Sequence, residues 1–183
     1  GRTKHAAAIE AAKAFVRQLD FEPDGWGRED TAAVAGFNDT AWTALAFSDR
    51  PADIEGALDG LLARVAEGTR LDLALAEAEA ALGRGPRVVE NRGTVILLTD
   101  GLPNRVPTPE GGGRQEDTVL AAAARLKATG ARLFTIGLGE ENDVFRQLLQ
   151  DAASTPDDFY FAPDGEDLHA IYAQIAGRIR PCP

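Results

Sequence analysis

The sequence contains no methionine and only one cysteine, Cys182, close to its C-terminal end. A single cysteine cannot form an internal disulfide or a thiolate metal site, so Cys182 is either a free thiol or half of a disulfide to a residue outside this sequence. Because translation starts with methionine, we expect the chain to be processed or to be part of a longer protein. No apolar run approaches the roughly 18 residues of a membrane span, and no signal peptide is visible. We therefore predict no membrane insertion by this chain.

Positive charge is also scarce. Nineteen lysines and arginines face 29 aspartates and glutamates, which gives a net charge of −10 and a pI near 4.7. Nucleic acids and anionic membranes are bound through clustered lysine and arginine, so neither is an expected partner. An acidic surface is compatible with cation binding or with solubility alone.

The sequence motifs of common enzymes are missing. The chain has neither of the glycine-rich phosphate loops, G-x-G-x-x-G and G-x-x-x-x-G-K-[ST], and no G-x-S-x-G nucleophile elbow. His5 and His169 fall in helical segments without a cysteine or a second histidine at ligand spacing, which is typical of structural histidines. With no acid, base and nucleophile set, we predict that the protein is not an enzyme.

The hydrophobic pattern alternates between strand and helix periods along the whole chain, and the 44% hydrophobic content is ordinary for a globular domain. Short apolar runs predict five strands, at 31–37, 41–47, 94–99, 132–138 and 159–162. Amphipathic stripes predict six helices, at 3–19, 51–65, 71–82, 116–129, 143–153 and 166–179. This alternation predicts one α/β domain over residues 1–183, with a mostly parallel open sheet and helices on both faces. The link at 38–40 is too short for a parallel crossover, so one edge strand should be antiparallel. Since the order begins with a helix, we expect a first strand before Gly1.

Two oxygen-bearing side chains fall where a ligand would bind in such a sheet. Asp100 follows the apolar run 94–99, which we predict to be a central strand buried on both faces, and ligands bind at the carboxyl ends of parallel strands. Thr69 lies in the break before the third helix. Hydroxyl and carboxylate oxygens suit Mg²⁺, Mn²⁺ or Ca²⁺. The alternatives are that Asp100 is only a turn former, and that Thr69 is the N-cap of a capping box with Asp72. Residues 101–114, with three prolines and four glycines, predict an exposed loop at this edge.

Four segments in order resemble a known family, the von Willebrand factor A domains, also called integrin I-like domains, in their bacterial form. Glu67 to Leu71 resembles the family's Gly-Thr segment, and Val95 to Gly101, followed by Pro103-Asn104, resembles its Thr-Asp-Gly strand end. The segment Phe37 to Ala41 is similar to the one after the second strand, and Thr135 to Gly139 is similar to the fifth strand. The family's Asp-x-Ser-x-Ser motif and the strand that carries it are absent, which agrees with the strand expected before Gly1.

The resemblance implies a three-layer Rossmann-like fold and a binding function. It implies that Thr69 and Asp100 ligate Mg²⁺, or Mn²⁺ or Ca²⁺, at the top of the sheet, and that the cation captures an acidic side chain of a protein partner. Because the first motif is absent, we expect this chain to bind the metal weakly or not at all. The resemblance favours an extracellular or cell-surface location.

Two alternatives to this function stay open. The first is an interaction scaffold of the same family whose metal site is not functional. The second is a Mg²⁺-dependent phosphoryl-transfer enzyme, which would need arginine clamps such as Arg70 and Arg105.

Overall fold

The structure is a computed structural model that describes residues 4–22, 29–86, 93–110, 112–139 and 142–179. The described strands are β1 (Ala32–Phe37), β2 (Ala41–Ser48), β3 (Thr94–Thr99), β4 (Arg132–Leu138) and β5 (Phe159–Ala162). The described helices are α1 (Lys4–Val16), α2 (Pro51–Leu61), α3 (Leu71–Arg84), α4 (Gln115–Ala128), α5 (Asp143–Ala152) and α6 (Asp167–Ile179). Single 3₁₀ turns follow α2, at Leu62–Arg64, and precede β5, at Pro156–Asp158. Cys182 lies outside the described residues.

The periodicity located the five strands and the six helices, and two predicted helix ends are wrong by three residues or more. The first helix ends at Val16 and not at residue 19, because the amides of Gln18 and Leu19 turn to the carbonyls three residues earlier. The second helix ends at Leu61, and its stripe continues as the 3₁₀ turn. In both places the i→i+3 hydrogen bond replaces the α-helical one at the C-terminus.

The strands form two sheets. β1 and β2 make an antiparallel hairpin, while β3, β4 and β5 make a parallel sheet in that order. The mixed α/β class with a parallel sheet and one antiparallel element is therefore confirmed. The prediction that β3 is a central strand buried on both faces is wrong for the described residues, where β4 is central and β3 is the edge of its sheet.

Helices cover both faces of the parallel sheet, which gives three layers. The reason is visible in β4, where Leu133 packs with α3, α4 and α5, whereas Phe134 and Ile136 pack with α1 and α6. The hairpin is covered separately, by a cluster that joins Val34 to Ile54 and Leu58 of α2 and to residues of α1. No helix in the described part of the chain is long and apolar enough to cross a membrane.

The amino edge of the parallel sheet is held by a buried carboxylate. Asp158, just before β5, is completely buried, and Arg132 donates to its two oxygens at 2.7 and 3.2 Å. Arg178 of α6 approaches the same carboxylate at 3.0 Å. Burial alone would raise the pKa of Asp158, but hydrogen bonds from Arg132 and Thr155 and the charges of both arginines outweigh it and hold that pKa below its ordinary value.

Candidate metal site at the carboxyl edge

Asp100 is the first residue after β3, and its side chain is 46% exposed. The strand ends here because the Thr99 hydroxyl turns back on the chain, donating to the Gly101 carbonyl at 3.2 Å and accepting from the Gly101 amide at 3.4 Å. Nε2 of His5, in the first turn of α1, lies 3.8 Å from the Asp100 carboxylate. Asp100 therefore stands at the carboxyl edge of the sheet, open to solvent and beside the start of α1.

Thr69 precedes α3 but does not cap it. The helix begins at Leu71, its N-cap is Arg70, and no side-chain capping hydrogen bond is made there. Asp72 does not reach back to the loop, because the Arg70 guanidinium binds both of its oxygens at 2.8 and 2.9 Å. Burial alone would raise the pKa of Asp72, but the hydrogen bonds and charge of Arg70 hold it below its ordinary value. The capping-box alternative for Thr69 is wrong, and its hydroxyl is not used in helix capping.

The two candidate ligands come from loops that touch each other. A Cβ built on Gly101 would lie 3.9 Å from the Thr69 hydroxyl oxygen, so the end of β3 reaches the loop of Thr69. The Thr69 amide donates to the side-chain oxygen of Asn104 at 2.9 Å, which ties the same two loops together a second time. Thr69 and Asp100 therefore share one end of the fold, as the sequence predicted.

The turn after β1 is a third loop at this end of the fold, and an ion pair links it to the loop after β3. Arg105 forms an ion pair with Asp39, in the turn after β1, and its guanidinium also lies 3.7 Å from Glu67. The turn that contains Asp39 is closed by Asn38, whose side chain accepts from the Thr40 amide at 3.1 Å. We call residues 38–40, 64–70 and 100–105 the carboxyl rim.

Glycine is required at one point of this rim. Gly68 has φ +106°, a left-handed conformation that other residues rarely adopt, and a Cβ there would collide with the Asp39 carboxylate. The close approach of this backbone to Asp39 sets the position of the next residue, Thr69.

The loop at 101–114 is less free than its composition predicted. Val106 is 2% exposed and packs in the core cluster of Leu97 and Val119, so the loop is anchored in the interior. The Thr118 hydroxyl also donates to the Pro107 carbonyl at 2.7 Å. Val106 is flanked by two exposed residues, Arg105 and Pro107. The loop therefore faces solvent but is anchored to the core at Val106.

Sequence reasoning did not identify three neighbours of the candidate ligands: His5, Asp39 and Asn104. Asp39 and Asn104 stand in turn-forming sequences, where aspartate and asparagine are explained without any further role. His5 is 95 residues away from Asp100 in the chain. The Pro103-Asn104 pair after Gly101 was a signal for Asn104, and the segment Phe37 to Ala41 was one for Asp39, while nothing local marked His5.

The donor atoms at the rim fit a hard divalent cation in kind but supply few of its ligands. Thr69 and Asp100 offer a hydroxyl and a carboxylate, whereas such cations take six or more oxygens. Among the described residues no group of three or more His, Cys, Asp or Glu side chains is placed to hold a metal ion. These two side chains could therefore contribute to a site that water or further protein oxygens complete.

The rim arginines are already engaged. Arg70 holds Asp72 through two hydrogen bonds, and Arg105 pairs with Asp39. A phosphate clamp would have to break these contacts before it bound a transferred phosphoryl group. This geometry does not favour the phosphoryl-transfer alternative.

A parallel sheet between two helical layers, with hydroxyl and carboxylate side chains at its carboxyl edge, defines a Rossmann-like α/β fold. The family model of the von Willebrand factor type A domain matches residues 1–174. The chain belongs to the von Willebrand factor type A domain family, and the resemblance found in its motifs is confirmed.

Solved structures share this fold at low sequence identity. The pilus adhesin SpaC of Lactobacillus rhamnosus GG superposes with a TM-score of 0.80 at 18% identity, over 98% of this chain and 28% of SpaC. The von Willebrand factor domain of the type V pili tip protein Mfa5 from Porphyromonas gingivalis gives 0.80 at 12% identity, over 98% of this chain and 90% of that one. Proximal thread matrix protein 1 from the mussel byssus, with a zinc-occupied MIDAS motif, gives 0.74 at 19% identity, over 94% and 42%.

This chain thus spans less than a third of SpaC and less than half of the mussel protein. No curated protein matches it significantly. The roles of Thr69 and Asp100 as metal ligands stay a prediction.

Proposed function

We propose that this chain is a single non-enzymatic binding domain, over residues 1–183, that uses a divalent cation at the carboxyl rim to capture an acidic side chain of a protein partner. The observation that carries the proposal is the convergence of Thr69 and Asp100 on loops that contact each other. Mg²⁺ is the proposed physiological ion, with Mn²⁺ or Ca²⁺ as substitutes, because the donors are hard oxygens.

The chemistry of capture follows from charge. The rim itself carries three carboxylates, Asp39, Glu67 and Asp100, against three arginines, but the protein as a whole carries a net charge of −10. This overall charge would repel an acidic partner in the absence of a cation. When bound, the cation would supply the positive charge and an open coordination position. Asp100 would hold it by its carboxylate and Thr69 by its hydroxyl, while the exposed loop at 101–110 would contact the partner.

Relatives in the fold support an adhesive role and a location outside the cell. Two of them are pilus proteins, an adhesin and a tip protein, and a third carries zinc at its MIDAS motif. We extend to this chain, as part of the proposal, an adhesion function, divalent cation binding and an extracellular or cell-surface location.

The test is calorimetric titration of Mn²⁺ and Mg²⁺ into the purified chain and into the Asp100→Ala variant. We expect saturable binding in the original chain and a loss of at least tenfold in affinity in the variant, because the variant lacks the one carboxylate of the pair. Asp49→Ala is the matched control, since Asp49 is an exposed aspartate that follows β2 at the opposite end of the fold. Equal affinity in all three proteins would contradict the assignment of Asp100.

A second candidate is an interaction scaffold that uses no metal. The absence, among the described residues, of a cluster of three potential ligands favours it. In that case neither ion would produce heat with any of the three proteins, and the rim would bind partners through its loops alone.

A further inference from the structure

An open groove runs between α4 and α5, on the face of the parallel sheet that these two helices cover. It has a volume of about 310 Å³ and is lined by the beginning of α4 and by one face of α5. The two helices follow the parallel strands β3 and β4, so both begin at the carboxyl edge of the sheet. The hydrogen bond from Thr118 of α4 to the Pro107 carbonyl ties this wall of the groove to the loop of the carboxyl rim. The groove is therefore a second surface at the same edge of the fold.

The floor of the groove is apolar. Leu148 of α5 is buried, and Leu120 of α4 is partly buried against the core. Val144 lies one helical turn before Leu148 and is 50% exposed, so the two side chains form a strip along α5. Such a strip suits the hydrocarbon stem of a long polar side chain, which lies on apolar surface while its charged end stays in water.

The walls of the groove carry an excess of negative charge. Glu116 of α4 and Asp143 of α5 both line it near the carboxyl edge, and neither side chain makes an ion pair or a hydrogen bond with any other described residue. Asp151 lies near the far end, where it accepts a hydrogen bond from Gln147 at 2.8 Å. Arg114, just before α4, is the one cation among the described lining residues. Two carboxylates are therefore left without a partner beside the apolar strip.

We propose that this groove binds an arginine side chain of a protein partner. The stem of the arginine would lie on Val144 and Leu148, and its guanidinium would reach the end of the groove that carries Glu116 and Asp143. Arginine fits better than lysine, because a planar guanidinium can donate to two carboxylates and is more weakly hydrated than an ammonium group. The net charge of −10 would also attract a basic segment. This site needs no metal and is separate from the capture of an acidic side chain at the rim.

The test is an NMR titration of the isotopically labelled 183-residue chain with the blocked tripeptide acetyl-Gly-Arg-Gly-amide, in the presence of EDTA. We expect saturable shifts of the Val144 and Leu148 methyl signals and of amides in the first turns of α4 and α5. The same peptide with citrulline keeps the shape of arginine without its charge, and it should bind about fivefold more weakly, because two partly exposed ion pairs are lost. The lysine peptide should also bind more weakly. Because EDTA removes divalent cations, the result does not depend on the metal site.

Two variants of the groove should change the affinity in opposite directions. The double variant Glu116→Gln, Asp143→Asn should bind the arginine peptide about fivefold more weakly, whereas Arg114→Gln should bind it about twofold more tightly, since a like charge is removed. The matched control is Asp167→Asn. Asp167 is the exposed first residue of α6, as Asp143 is of α5, so its loss has the same effect on a helix dipole. This control should leave the affinity unchanged.

Four outcomes would overturn the proposal. The absence of saturable shifts would show that the groove binds no arginine, and shifts confined to other parts of the chain would place the peptide elsewhere. Equal affinity for the arginine and citrulline peptides would show that charge is not recognised. A lysine peptide that bound as tightly would contradict the assignment to a guanidinium. These comparisons use the original chain, so they decide the matter even if the double variant does not fold.

Discussion

The two edges of the parallel sheet both pair aspartate with arginine, but in opposite environments. At the amino edge Asp158 is completely buried between Arg132 and Arg178. At the carboxyl rim Asp39 and Arg105 are 40% and 51% exposed. Removing one partner of a buried ion pair is strongly destabilising, because the remaining charge is left unpaired away from water. Exposed pairs contribute little to stability, because solvent and salt screen their attraction.

We expect this difference to separate an edge that stabilises the fold from an edge that is available for the proposed binding. Removing a buried partner leaves uncompensated charge inside the protein, so the amino edge cannot change without loss of stability. At the carboxyl rim the side chains of Asp39, Asp100 and Arg105 are 40%, 46% and 51% exposed, so we expect them to respond to a cation or to a partner. We therefore expect substitutions at the two edges to separate stability from binding.

The largest expected effect is that of Asp158→Ala, which should lower the free energy of unfolding by about 3 kcal/mol because it leaves two arginine charges without their carboxylate. Urea denaturation followed by circular dichroism measures this. Asp157→Ala, at the exposed neighbouring position, is the control and should change stability by less than about 0.5 kcal/mol. Similar values for the two variants would show that the buried cluster does not stabilise the fold.

The pH dependence of stability should report the same carboxylate. Because the pKa of Asp158 is lower in the folded protein than its ordinary value of about 3.9, its stabilising contribution is complete above that value. The contribution is lost as the pH falls through the folded pKa. The stability difference between the original chain and Asp158→Asn should therefore be constant at pH 5–7 and shrink below about pH 4. Urea midpoints measured from pH 7 to pH 2.5 test this, and a difference that grows in acid would contradict it.

At the carboxyl rim, the coupling free energy between Asp39 and Arg105 should be less than about 1 kcal/mol, because both side chains are substantially exposed. A double-mutant cycle with Asp39→Asn and Arg105→Gln measures it, and 1 M salt should weaken it further. A coupling above about 2 kcal/mol that resisted salt would mean that the rim is held as tightly as the amino edge.

The smallest effect on stability is expected for Thr69→Val. The Thr69 hydroxyl does not cap α3, so the free energy of unfolding should change by less than about 0.5 kcal/mol. The affinity for Mn²⁺ should fall. Asn142→Ala is the contrasting variant, because the Asn142 side chain accepts from the Phe145 amide at 2.8 Å and caps α5. Loss of the Asn142 cap should lower the free energy of unfolding by about 1 kcal/mol without changing the affinity for metal. Equal stability losses in both variants would show that Thr69 is a structural cap.

The sequence was a good guide to the candidate ligands and a poor guide to what surrounds them. Thr69 and Asp100 were found because each sits at a junction that local patterns mark, the end of an apolar run or the break before a helix. The proximity of His5 to Asp100, the pairing of Asp39 with Arg105 and the contact between Asn104 and Thr69 join residues 35 to 95 positions apart. No local pattern encodes such contacts, because they depend on how the elements pack.

What the sequence alone determined is the set of elements and their alternation. Hydrophobic period, turn residues and glycine stops act over a few neighbours, so they fixed five strands, six helices and the α/β class. Only the tertiary structure decided that β3 is the edge of the parallel sheet in the described part of the chain, that Asp158 is a buried charge and that Thr69 is not a cap. Those outcomes depend on which surfaces meet and on which polar groups find partners when water is excluded, and both are properties of the packed molecule.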